Sequence, residues 1–594
     1  MLTNRGKKIF DRFLVWRLKH ISDRNLLIIL SIICGFISGV IAVFIKNFVY
    51  FIEELKFLEK TPDILHFQYF IYPVFGVVLT VFFKKFVLKK ELSYGIPGVL
   101  KAISKKSGFM PAQNIYAPGI TSSITLGFGG SVGMEGPAVN TGGAIGSNIG
   151  RWLGLKYKHI VLLIACGSAA SIAGLFKAPI TGVVLALEIL MIDLSMSSLV
   201  PLLIASVTGT LTSYFFLGQN VIYHISGLES IDFMQIPYFA LLGIVCGFIS
   251  VYFTRVLMFF NKYFEKIENI YTRMIICCVL LGSLIFLFPA LYGEGYHQIN
   301  LCLKGQHDFV FDYSLFGSFR GNMSAVIILL SAIIIFKVIA TSLTFSAGGV
   351  GGIFGPSLFL GAVTGLLFSV LSSFLNIRDL PVANFALAGM TGVLAGVMHA
   401  PLTGIFLIAE ITDGYHMIVP LIITASISYL TIKSFIPYSV DALNLAEKGE
   451  LITHDKDKSV LNLMKIDKLI ETNFITVSPD DYLGQLVKVI ARSERNIFPV
   501  VDNYNNLLGI IFLNDIRDKI FNQSLYGKLF VHDLMFMPTP LVNPEESMEE
   551  VAMKFEQTDN YNLPVVKDGK YIGFISRANF FSEYRQMIKQ FSED

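Results

Sequence analysis

The sequence predicts an all-α polytopic membrane domain made of two related halves, followed by a small α+β domain that is itself duplicated. Three observations carry this prediction. The 594 residues are 53% hydrophobic and only 15% charged, with most of the charge before residue 25 and after residue 440. A water-soluble chain cannot concentrate apolar residues this way without exposing them, so the middle has lipid as its solvent. Finally, two motifs in the middle and one in the tail each occur twice.

The opening 1–24 is basic (Arg5, Lys7, Lys8, Arg12, Arg17, Lys19, Arg24), too polar for a signal peptide, and is expected on the cytoplasmic side. The membrane domain is assigned to 25–443, with apolar runs near 25–52, 68–88, 115–130, 159–175, 178–192, 197–217, 236–260, 273–291, 324–344, 353–375, 384–398, 401–411 and 416–436. A plain helix crossing a hydrocarbon core ~30 Å thick needs about 20 apolar residues. Several runs are shorter and carry Gly, Pro or a charge, which points to broken or re-entrant helices. Residues 444–463 read as a charged linker. The segments 464–524 and 529–591 repeat one pattern: Phe498-Pro499-Val500-Val501 then Gly509-Ile510-Ile511, against Leu563-Pro564-Val565-Val566 then Gly573-Phe574-Ile575. Each reads as strand, turn, strand, helix. The six cysteines have neither metal nor disulfide spacing, and no basic run suits a nucleic acid.

Within the membrane domain, Gly129-Gly130-Ser131-Val132-Gly133-Met134-Glu135-Gly136-Pro137 resembles Gly348-Gly349-Val350-Gly351-Gly352-Ile353-Phe354-Gly355-Pro356. Lys177-Ala178-Pro179-Ile180-Thr181-Gly182 with Glu188 resembles His399-Ala400-Pro401-Leu402-Thr403-Gly404 with Glu410. The offsets, 219 from Pro137 to Pro356 and 222 from Glu188 to Glu410, nearly agree, so the halves are related. Glycines let backbone N–H groups face a small ligand, and Pro137 and Pro356 mark first-turn positions of helices. Free N–H groups at the positive end of a helix dipole hold an anion without a full countercharge. Such partial charges bind weakly enough for the ion to leave again. Glu135 stands out: an ionised acid at membrane depth costs about 3 kcal/mol on insertion scales, so a function is its default reading. Its charge is favoured at a helix N-terminus, where it can take an anion's place and leave on protonation. Glu188 and Glu410, at matching places, read as capping or pairing residues.

These residues resemble the CLC chloride channel and transporter family, with paired CBS domains behind it. The resemblance implies that the two halves are inverted and that the chain forms a homodimer with one pathway per subunit. It makes Glu135 the gate in Gly133-Met134-Glu135-Gly136-Pro137, with Gly133, Met134 and Gly136 contributing to the anion site. It implies that Ile353 and Phe354 present backbone N–H groups to a central anion, and that Tyr438 supplies a hydroxyl. The family's first motif is usually Gly-Ser-Gly-Ile-Pro. Here Ser93-Tyr94-Gly95-Ile96-Pro97 puts Tyr94 where the serine stands, a departure that fluoride exporters of the family share in kind. The family's antiporters usually carry an inner proton glutamate at the position of Ile189, which cannot relay a proton. The expectation is therefore chloride transport that is channel-like or loosely proton-coupled. The alternatives are a chloride/proton antiporter, then a fluoride exporter, then a CBS-regulated cation transporter.

In the tail, Asp515, Ser576 and Asn579 match parts of the family's adenine-nucleotide pattern, and neither repeat matches it fully. An adenine nucleotide is the one cofactor considered there, and no metal is expected. An enzyme is not expected: a zinc protease needs His-Glu-x-x-His, which the sequence lacks. The partners expected are chloride and related anions, protons, the bilayer and a second copy. The expected location is the plasma or inner membrane, with both termini cytoplasmic.

Overall fold

The computed structural model describes residues 17, 19–55, 67–89, 95–105, 107–191, 196–218, 229–412, 415–447, 461, 464–558 and 560–592. They fall into two compact units, Met1–Leu451 and Ile452–Asp594.

The first unit is helical. Its first half runs through α1 (Asp23–Glu54), α2 (Gln68–Phe83), α3 (Gly95–Lys105), α4 (Ala117–Gly127), α5 (Glu135–Trp152), α6 (Tyr157–Phe176), α7 (Pro179–Glu188) and α8 (Met196–Leu217). The second half follows with α9 (Ile236–Glu265), α10 (Ile270–Leu287), α11 (Tyr296–Leu303), α12 (Met323–Ser346), α13 (Phe354–Phe374), α14 (Val382–Met398), α15 (Pro401–Ile411) and α16 (Ile418–Lys433), and α17 (Val440–Glu447) closes the unit. Among the described residues, eight helices are long and apolar enough to cross a membrane, whereas α7, α14, α15 and α16 are apolar but shorter. The mixture of long and broken helices is the one the apolar runs predict.

The halves pack by one scheme used twice. Helix α5 lies against α6 so closely that a Cβ at Gly142 would sit 2.1 Å from the carbonyl oxygen of Gly167. In the second half, a Cβ at Gly361 of α13 would sit 2.4 Å from the carbonyl oxygen of Gly389 on α14. Backbone meets backbone at both places, which only small residues permit. Lys177 and His399 end α6 and α14 in the left-handed conformation (φ 57° and 54°), and Pro179 and Pro401 open the next helix.

The halves also grip each other reciprocally. The Glu188 carboxylate accepts hydrogen bonds from the N–H of Leu402 (2.9 Å), the N–H of Thr403 (2.7 Å) and the Thr403 hydroxyl (2.8 Å) at the start of α15. Glu410 on α15 accepts from the N–H of Ile180 (2.9 Å), the N–H of Thr181 (2.8 Å) and the Thr181 hydroxyl (2.6 Å) at the start of α7. Each acid thus satisfies the orphan donors of the other half's helix and sits at the positive end of its dipole. Equivalent residues trading equivalent bonds is the mark of a two-fold relation between the halves.

The second unit holds two antiparallel hairpins. β1 (Ile497–Val501) pairs with β2 (Leu507–Phe512), and β3 (Asn562–Lys567) pairs with β4 (Lys570–Ser576). Asp568 and Gly569 both take positive φ in the second turn (51° and 82°), as a tight hairpin requires. Each hairpin backs onto its own apolar core, Phe498, Val500 and Ile511 in one and Leu563, Val565 and Ile575 in the other. Helices α18 (Leu483–Ile490) and α19 (Met548–Gln557) precede the hairpins, and α20 (Arg577–Ser592) follows the second. One expectation is corrected here. The first hairpin is followed by a single 3₁₀ turn, Leu513–Ile516, in place of a helix. Asn514, Asp515, Arg517 and Asp518 are exposed, and Ile516 is the one fully buried residue of 513–520, with Leu513 and Ile520 half-buried against the same core, too little for a helix's apolar stripe.

Removing either reciprocal acid orphans three donors of the opposite half. Glu188→Ala and Glu410→Ala are each expected to destabilise the detergent-solubilised protein by about 2 kcal/mol. Thermal unfolding reads this, and equal losses for the two variants are the sign of the two-fold relation.

Candidate functional site

The Gly-rich motifs of the two halves meet in the interior of the first unit. Gly133 donates to the carbonyl of Gly352 (2.8 Å) and Gly352 donates to that of Gly133 (2.7 Å), a two-bond antiparallel bridge between equivalent positions. A second reciprocal pair braces it. The Thr344 hydroxyl accepts from the N–H of Ser131 (3.3 Å), and the Thr125 hydroxyl accepts from the N–H of Val350 (3.1 Å). Irregular backbone at membrane depth is stable only when its polar groups are satisfied in this way.

The bridge brings three helix starts to one place. A Cβ at Gly136, in the first turn of α5, would lie 3.2 Å from Cα of Gly352 and 3.6 Å from Cα of Gly95. Gly95 opens α3 with a positive φ of 72°. The side chain of Asn140 ties α3 to α5 by donating to the Gly95 carbonyl at 2.8 Å. Pro137 and Pro356 are the third residues of α5 and α13, in the first turn as expected. Among the described residues, the N–H groups of Met134, Gly136, Ile353 and Phe354 have no backbone or side-chain acceptor. Four donors therefore gather at the positive ends of α5 and α13.

Glu135 is the first residue of α5 and is 1% exposed. Its carboxylate folds back over Gly133, where a Cβ would lie 2.1 Å from Oε2. Oε2 accepts the N–H of Gly355 in the first turn of α13 at 3.3 Å. Oε1 accepts the hydroxyl of Tyr296, the first residue of α11. The carboxylate of one half thus occupies an N–H group at the start of the other half's helix.

The remaining predicted residues divide. Ile189 is buried as the C-cap of α7, with nothing in its side chain to carry a proton. Tyr94 and Ser93 lie outside the described residues. Tyr438, between α16 and α17, is 40% exposed, and among the described residues no hydrogen bond joins it to Glu135, Ile353 or Phe354. In the second unit, Asp515 and Asn579 are exposed. The Ser576 hydroxyl donates to Glu471 at 2.6 Å and accepts the N–H of Asn579 at 3.2 Å. Glu471 is also paired with Arg495 at 2.8 Å. Ser576 is thus engaged in capping α20.

Three residues of the site went unnamed in the sequence reading. Tyr296 reaches Glu135 from α11. Glu294 lies two residues before it, between Gly293 and Gly295, and the charged groups around it are Glu135, Glu53, Lys46 and Lys337. Lys337, fully buried in α12, donates to the carbonyls of Leu291 (3.1 Å) and Gly293 (2.8 Å) and lies 4.8 Å from the ring centre of Phe359. Two signals were available: a lone lysine inside the apolar run 324–344, and an acid between two glycines after Pro289.

The family model for the voltage-gated chloride channel matches residues 75–433, more than half of the chain, and the CBS model matches 466–522 and 531–585. The chain belongs to the voltage-gated chloride channel (CLC) family. It is 24% identical to the chloride channel protein CLC-f of Arabidopsis thaliana over 79% of this chain, and spans 64% of the plant protein's length. It is 26% identical to the H(+)/Cl(−) exchange transporter ClcA of Yersinia pestis, covering 67% of this chain and 83% of that one. Among solved structures, a slow cyanobacterial Cl−/H+ antiporter aligns with a TM-score of 0.60 at 23% identity, covering 72% of this chain and 98% of the other. A eukaryotic CLC transporter aligns with a TM-score of 0.59 at 17% identity, covering 93% and 97%. The structural likenesses show the CLC fold, and the CBS pair behind it is shown by the family model.

Because Ser576 caps α20, Ser576→Ala is expected to cost the second unit about 1 kcal/mol. Chemical denaturation of the full chain, followed by a probe in that unit, measures it.

Proposed function

We infer that this chain carries chloride and related small anions across a membrane through a pathway gated by Glu135, channel-like or loosely coupled to protons. The observation that carries the reading is the Glu135 carboxylate on the N–H of Gly355, among the free donors of Met134, Gly136, Ile353 and Phe354. An anion entering that place competes with the carboxylate for the same donors. A proton on Glu135 removes the negative charge and frees them. The names of the relatives, a chloride channel in one case and a proton/chloride exchanger in the other, agree in the anion and differ in the coupling.

Ile189 argues for weak coupling, because a hydrocarbon side chain stands where an inner acid would pass protons on. Fluoride remains the alternative anion through the departure at Tyr94. The chain is proposed to work as a homodimer with both termini cytoplasmic, and in a bacterium to lie in the inner membrane. An adenine nucleotide at the CBS pair would have to be held with Ser576 already occupied by Glu471.

The deciding experiment is chloride efflux from proteoliposomes, with proton movement recorded in parallel. Wild-type efflux should rise as the medium is acidified, since protonation releases Glu135. Glu135→Ala should be open across the pH range and lose that dependence. A mutant that keeps the wild-type pH profile would remove Glu135 from the gate. Robust proton uptake driven uphill by a chloride gradient would replace the weakly coupled reading with a true antiporter. Tyr296→Phe removes one of the hydrogen bonds that hold the carboxylate, a loss of about 2 kcal/mol. It should raise efflux at neutral pH about tenfold or more.

A further inference from the structure

The segment Leu291–Tyr296 touches both a cleft and the gate. Tyr292 lines a cavity of about 320 Å³, together with Glu53, Gln68, Tyr69 and His297 among others. Tyr296, four residues on, donates its hydroxyl to Glu135. Glu294 sits in the middle of this segment, within five residues that also hold the cleft-lining Tyr292 and the gate-binding Tyr296. The segment is pinned: Lys337 donates to two of its carbonyls, and Gly293 donates to the carbonyl of Gly129 at 3.1 Å, in the loop that leads to Glu135.

The carboxyl of Glu294 is placed unlike those of Glu188 and Glu410. The residue as a whole is partly exposed, yet its Oε2 is shut away from solvent and has no hydrogen-bond partner among the described residues. Lys337 gives its ammonium to backbone carbonyls, and among the described residues no ion pair joins Glu294 to Lys337 or to Lys46. The ionisable groups that face Glu294 are Lys46, Tyr50 and Glu53 from α1, Glu135 from α5 and Lys337 from α12. An acid with a solvent-shielded, idle oxygen that feels the charge of a second acid can exchange a proton with it.

The internal repeat gives an independent pointer. Glu294-Gly295 leads into α11 with Gly295 as its N-cap, as Tyr94-Gly95 leads into α3 with Gly95 as its first residue, and both glycines take positive φ (91° and 72°). In both halves the helix that follows packs against the Gly-rich helix, α3 on α5 and α11 on α13. The second half therefore carries an acid at the place corresponding to Tyr94.

We propose that Glu294 is the proton station between the cleft and the gate, taking protons from water in the cleft and exchanging them with Glu135. The step is a plain proton transfer. The acid proton leaves the Glu294 carboxyl and arrives on the Glu135 carboxylate, and the negative charge passes the other way. The Tyr296 hydroxyl is already on the receiving oxygen. Glu294 is a positioning and relay residue: it acts on the anion only through Glu135, so the inference rests on the reading of Glu135 as the gate.

The test uses the full-length chain in proteoliposomes and follows chloride efflux from acid to neutral pH for wild type, Glu294→Gln, Glu294→Asp, Glu135→Ala and the double variant Glu294→Gln/Glu135→Ala. Glu294→Gln should slow acid-activated efflux about tenfold or more, because a positioned proton-transfer group is lost. Glu294→Asp keeps the acid at a shorter reach and should lose less. In the Glu135→Ala background, Glu294→Gln should change nothing. A Glu294→Gln profile superimposed on wild type would overturn the inference, as would an equal slowing with and without Glu135, which is what a purely structural role produces. If Glu294→Gln does not fold, an unchanged profile for Glu294→Asp overturns it and a slowed one supports it. If Glu135→Ala keeps the wild-type pH dependence, the gate reading itself has failed; if it abolishes that dependence while Glu294→Gln behaves as wild type, only the relay has.

Discussion

The bridge between Gly133 and Gly352 is the constraint on which the rest of the first unit depends. A helix that stops inside a membrane leaves N–H and C=O groups with no water to receive them, at several kcal/mol for each unsatisfied group. The chain meets that cost by using itself twice. The non-helical backbone of one half is satisfied by the equivalent backbone of the other, and Thr125 and Thr344 complete the exchange. Among the described residues, the N–H groups of Met134, Gly136, Ile353 and Phe354 stay unsatisfied around the starts of α5 and α13. These are the groups that suit an anion.

The same economy explains the glycines and the paired acids. Gly142 against Gly167, and Gly361 against Gly389, let the backbones touch, so the start of each Gly-rich helix is held by packing along its length. Glu188 and Glu410 are each held by three donors at the start of a short helix. Across the two halves Glu135 holds a backbone N–H, which an anion could occupy, and a hydroxyl. An acid that shares its donors with a ligand can move.

Much of this was legible before any coordinates. The duplication, the place of Glu135 at a helix start, the capping role of Glu188 and Glu410 and the duplicated tail all follow from spacing, because repeats and helix-start residues are local signals. The helix expected after β2 was not, since a strand-turn-strand pattern says nothing about how many apolar anchors the next segment retains. Tyr296, Glu294 and Lys337 also escaped. They lie 159 to 202 residues from Glu135 along the chain and outside the two motifs whose spacing reveals the repeat, so no local pattern draws them toward it.

The sequence by itself determined that the chain is a membrane protein of two related halves with a duplicated domain behind it. It did so because hydropathy, glycine spacing and internal similarity are written in one dimension. Tertiary structure alone decided which half satisfies which, and which acids surround the gate. Those are contacts between residues far apart in the chain, and they exist only once the two halves have closed on each other across the Gly133–Gly352 bridge.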